Sequence, residues 1–126
     1  MALLIGMADK SHWSQSVETA ATAPSLTFDV ACRVHRQPLW LGSSYRANHP
    51  IEVLSASSVR LTVAAGVAVT LTGEAPDGAS AVRMEVSDNH VAIVADLGRL
   101  PLPSTVRWRY RVALAAAPGC CDDKAF

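Results

Sequence analysis

The sequence is poor in the features that announce a function by themselves. It has no excess of either charge: 11 lysines and arginines balance 11 aspartates and glutamates, for a formal net charge of zero. Binders of nucleic acid and of membrane surfaces usually carry a basic excess, so neither is expected as a partner. Copies that repel each other so little are mildly inclined to self-associate. Cysteine is scarce, and Cys32, Cys120 and Cys121 are odd in number with two adjacent. That is no disulfide framework, and it points to synthesis in a reducing cytosol. No apolar run approaches the roughly 18 residues of a membrane-spanning helix. The apolar start, Met1 to Met7, lacks a basic flank and is cut off by Asp9, which is too short for a secretion signal. A soluble, unprocessed chain is expected.

Catalytic constellations are equally sparse. The four histidines, His12, His35, His49 and His90, form no His-x-His or His-x-x-x-His pair. There is no Gly-x-Ser-x-Gly elbow and no glycine-rich loop leading into a helix. Carboxylates are dispersed, with Asp77 and Asp88 in turn-like stretches and Asp29 and Glu85 on outward strand positions. Cys120-Cys121-Asp122-Asp123 lacks Cys-x-x-Cys geometry, so spare thiols are expected there. No cofactor, no metal and no catalytic residue is expected, and the chain is read as not an enzyme.

What the sequence does have is alternation. At 126 residues, half of them apolar, there is room for one domain with a sizeable core. Leu26, Phe28, Val30, Cys32 and Val34 alternate with Thr27, Asp29, Ala31 and Arg33, which predicts a half-buried strand. Phe28, Val30 and Cys32 are expected to face the core, Cys32 as a small hydrophobe. The same period of two recurs over 59–63, 67–71, 82–86 and 106–114. Apolar pieces at 38–41 and 51–54 read as edge strands, and 91–97 as a further strand. Pro76-Asp77-Gly78, Ser87 to His90 and Ala65-Gly66 supply turns, and Gly98 to Ser104, with Pro101 and Pro103, a connection that cannot pair regularly. Such spacing predicts an all-β fold, a small antiparallel β-sandwich over residues 25–115. Residues 1–24 keep no period and are expected to be a flexible N-terminal arm, with room for a short helix over 2–8. Residues 116–126 form a C-terminal tail.

The most distinctive stretch is Arg107-Trp108-Arg109-Tyr110-Arg111. In a strand the three arginines project from one side and the two aromatics from the other. Arg107, Arg109 and Arg111 are therefore the candidate interface, able to meet an acidic protein surface or a phosphate backbone. The competing expectation, favoured by zero net charge, is a solvated face whose arginines pair with Asp29 or Glu85.

The order of motifs carries a resemblance. Pro50-Ile51-Glu52-Val53-Leu54-Ser55-Ala56-Ser57-Ser58-Val59-Arg60-Leu61-Thr62-Val63 resembles the Pro-Val-Asp-Leu-Thr-Gly-Ala-Thr-Val-Arg-Leu stretch of immunoglobulin-like domains in bacteriophage tail and baseplate proteins. Leu100-Pro101-Leu102-Pro103 followed by Val106 to Val112 resembles their Leu-Pro linker and closing aromatic strand. The likeness spans residues 26–114, with Ser55-Ala56 where those domains have a glycine step and basic residues where they carry an acidic pair. It implies an immunoglobulin-like sandwich with an architectural role. The expected function is a structural virion component of the tail, baseplate or head, made in the bacterial cytoplasm. Its partners would be other virion proteins and copies of itself, as a homo-oligomer. Two alternatives stand: a cupin-like metal-binding barrel or enzyme using His35, His49 and His90, and a cytosolic carbohydrate- or protein-binding module.

Overall fold

A computed structural model describes residues 1–8, 11–20 and 24–116. Ten strands form among them: β1 (Ala2–Ala8), β2 (Ser11–Thr19), β3 (Ser25–Val34), β4 (Gly42–Arg46), β5 (Glu52–Ser55), β6 (Ser58–Ala64), β7 (Val67–Glu74), β8 (Val82–Ser87), β9 (His90–Ala95) and β10 (Ser104–Ala116). They make a seven-stranded sheet in the order β1-β2-β3-β10-β7-β6-β5 and a three-stranded sheet in the order β4-β9-β8, all neighbours antiparallel. The fold is an all-β sandwich. Two meanders, β1-β2-β3 and β5-β6-β7, are knitted into one sheet by β10, which pairs with β3 on one side and β7 on the other.

The turns follow local backbone chemistry. Asp88, at φ 52°, and Asn89 connect β8 to β9 with Ser87 opposite His90, a two-residue hairpin of the kind that requires positive φ. Gly66, at φ 74°, plays the same part after Ala65 between β6 and β7. Gly42 opens β4 where a Cβ would strike the carbonyl of Ile93, so only glycine lets β4 lie against β9.

The core sits between the sheets. Val30, Cys32 and Val34 of β3, Val59 and Leu61 of β6, Leu71 of β7, Val91 and Ile93 of β9, and Val106, Trp108 and Tyr110 of β10 are all buried. Phe28 is partly buried and packs on this cluster, while Asp29 is partly exposed and Arg33 exposed, so β3 has the expected face inward.

Four expectations are corrected. Residues 1–24 are not a lead-in separate from the sandwich, since β1 and β2 pair in register onto β3 and carry the larger sheet two strands further. Residues 2–8 are strand rather than helix, because a β-partner satisfies their backbone groups. The edge strand expected over 38–41 is irregular, and pairing starts one residue later, at Gly42. Leu114, which the alternation of 106–114 sets on the side of Trp108 and Tyr110 and so toward the core, is 58% exposed: it lies opposite Val69 near the end of β10, in an apolar groove with Leu26 and Val112. The tail from residue 117, with Cys120 and Cys121, lies outside the described residues.

Candidate functional site

β10 passes through the centre of the larger sheet, so its alternation divides the molecule's chemistry between two faces. Inward, Trp108 donates its indole N–H to Ser43 Oγ at 3.0 Å and meets Trp13 edge-on, with centroids 5.8 Å apart at 87°. Tyr110 stacks on Phe28 at 5.0 Å and shares a hydroxyl–hydroxyl hydrogen bond with Tyr45. Burial, with the Tyr45 hydroxyl second, pushes the Tyr110 phenol well above its ordinary range. Burial likewise pushes the Cys32 thiol up, more than the hydrogen bond to Ser11 pulls it down. Both groups stay neutral near pH 7, as members of a packed core.

Outward, Arg107, Arg109 and Arg111 stand in a row, and neighbouring strands supply acidic partners. Arg107 donates to Asp29 Oδ2 at 2.8 Å. Arg109 lies opposite Glu74, with Nε 3.2 Å from Oε1, and Arg111 reaches the other oxygen diagonally at 3.5 Å. Sequence reasoning named Asp29 correctly. Glu85 is corrected: it is paired with Arg83 on its own strand, 2.9 Å away. Glu74 went unnoticed because β7 becomes the neighbour of β10 only through the crossover that inserts β10 into the sheet. Three cations thus face two carboxylates, which leaves a weakly basic, largely compensated stripe.

The same outer face has an apolar margin. On β1, Leu3, Ile5 and Met7 alternate outward, and the register places them opposite Ser16, Ser14 and His12 of β2. They are 62%, 80% and 67% exposed. The inward side of β1 holds Ala2, Leu4 and Gly6, and Leu4 is also more than half exposed, since the three-stranded sheet packs chiefly against β10 and β7. A groove of about 340 Å³ runs there between Leu4, Gly6, Trp13, Val30 and Ser43. The Trp13 indole N–H is buried at its side without an acceptor among the described residues. At about 4.8 Å per strand, the apolar margin and the arginine row lie roughly 14 Å apart. Sequence reasoning missed this margin.

His35 follows β3, His49 precedes β5 and His90 opens β9. Among the described residues, no three His, Cys, Asp or Glu side chains come together in a group that could hold a metal ion. No described helix is long and apolar enough to cross a membrane. No protein-family model, curated protein or solved structure matches the chain.

Proposed function

We propose that this protein is a non-enzymatic structural component that works through protein–protein contacts, as a tail, baseplate or head accessory of a bacteriophage particle. The observation that carries the contact-making role is the apolar margin on β1. Large apolar side chains grouped on an open sheet edge are surface that a chain gains by covering. The virion setting is supported by the resemblance of residues 26–114 to immunoglobulin-like domains of phage tail and baseplate proteins. Arg107, Arg109 and Arg111 offer a second contact on the same outer face, suited to an acidic protein surface that replaces Asp29 and Glu74 as partner. Mass spectrometry of gradient-purified particles, from a host carrying the gene, tests the reading. The chain should appear in fixed copy number relative to the major tail or capsid protein. Its presence in the soluble lysate alone would overturn the virion assignment.

A further inference from the structure

The larger sheet ends in two edges of opposite character. β5 is four residues long, follows Pro50 closely, carries Glu52 and shifts register between Val53 and Ser55. Shortness, charge, proline and irregular pairing are devices that keep an edge from joining another chain. β1 has none of them. Its seven residues pair with β2 without a register shift and contain neither a charge nor a proline. The outer row of its backbone N–H and C=O groups has no strand partner among the described residues.

We infer that β1 is a self-pairing edge, through which two copies join antiparallel about a two-fold axis at Ile5 and make one sheet continuous across both. The inference deepens the contact-making reading by naming the partner as a second copy, and it rests on that reading for its biological setting. A two-fold axis normal to the sheet keeps the outer faces on one side, so outward residues must meet outward residues. Centred on Ile5, the register sets Leu3 beside the partner's Met7 and Ile5 beside the partner's Ile5, apolar against apolar. On the inward side Leu4 meets the partner's Gly6, a large side chain beside a small one, and a Cβ built at Gly6 has nothing within 4 Å. Like charges set opposite each other are what usually penalises self-pairing, and this strand has none. Met1, Leu3, Leu4, Ile5 and Met7, 55–86% exposed, offer on the order of 600 Å² per copy, against roughly 800 Å² in a standard interface. The pairing is therefore weak and concentration-dependent.

Sedimentation equilibrium of the full chain tests this, with circular dichroism to verify folding. The expected result is a monomer–dimer equilibrium with a dissociation constant on the order of 1–100 μM. Ile5→Lys should weaken it roughly tenfold or more, while Val53→Lys on the opposite edge leaves it unchanged. Register is read by oxidation in a Cys120→Ser, Cys121→Ser background. Ile5→Cys should cross-link to its own copy, whereas Leu3→Cys should cross-link only when mixed with Met7→Cys. A monomer throughout about 200 μM, an association that survives Ile5→Lys, or failure of Ile5→Cys to cross-link would each overturn the inference. Should Ile5→Lys unfold, the cross-links decide it. A chain found in particles yet monomeric refutes the pairing alone, and a β1 dimer absent from particles refutes the virion reading alone.

Discussion

Replacing Trp108 by alanine strikes the centre of the sandwich. The side chain is fully buried, holds Ser43 through its indole N–H and meets Trp13 edge-on. Truncating a buried large aromatic costs about 3–5 kcal/mol in lost transfer energy and cavity formation. The edge-on pair adds about 0.5–1.5 kcal/mol, and the stranded Ser43 hydroxyl a further loss unless water reaches it. Against a total stability of about 5–15 kcal/mol for a domain this size, the variant should be barely folded. Urea unfolding followed by far-ultraviolet circular dichroism measures the change, with Trp108→Phe separating ring from N–H. A double-mutant cycle with Trp13→Ala should return a coupling of about 0.5–1.5 kcal/mol. A midpoint change worth less than about 1.5 kcal/mol at unchanged m-value, or a coupling near zero, would refute this placement of the two indoles.

The other face should behave differently. Replacing Arg107, Arg109 and Arg111 together by Gln should cost only about 1–2 kcal/mol, because partly exposed ion pairs contribute little each. Loss of cooperative unfolding in that variant would contradict it. Tyr110 gives an alkaline signature: its folded pKa is raised, so its stabilisation is complete below the unfolded value near 10 and declines as pH rises beyond it. Its share of the slope is about 1.4 kcal/mol per pH unit, which Tyr110→Phe should remove while the share of Cys32 stays; an equal slope in both proteins would remove Tyr110 as a cause. Cys32, buried and with its thiol pushed up, should resist alkylation at pH 8 until urea unfolds the chain, as peptide-resolved mass spectrometry can show. Labelling in the native state at the unfolded rate would place it at the surface.

Much of the sandwich was legible because its strands lie half in water. β3, β6, β7, β8 and β10 each set apolar residues against Thr, Arg, Glu or Ser, and the period of two survives in the sequence. β1 and β2 were not legible for opposite reasons. β1 is apolar on both sides, so it shows no alternation. β2 puts Ser11, Gln15 and Val17 on the same side as Trp13, and that side lies largely beyond the smaller sheet, so little selects for hydrophobicity there. The arginine row was readable from β10 alone, but its neutralisation by Glu74 was not, since that contact depends on which strands β10 enters between. The apolar margin escaped notice with β1, because an edge is a property of sheet order rather than of any one segment.

The position of β10 also bears on how the molecule is made. As synthesis proceeds, β1-β2-β3 and β5-β6-β7 can each close through local hairpins, but β3 and β7 both await a neighbour that has not yet been translated. The contact between Arg107 and Asp29 spans 78 residues of chain, and the whole central seam is of that kind. Seams built from such distant segments form slowly, on millisecond-to-second scales, and meanwhile expose apolar faces and unpaired backbone. β10 comes after both meanders in the chain, so its insertion is the step that joins the two half-sheets.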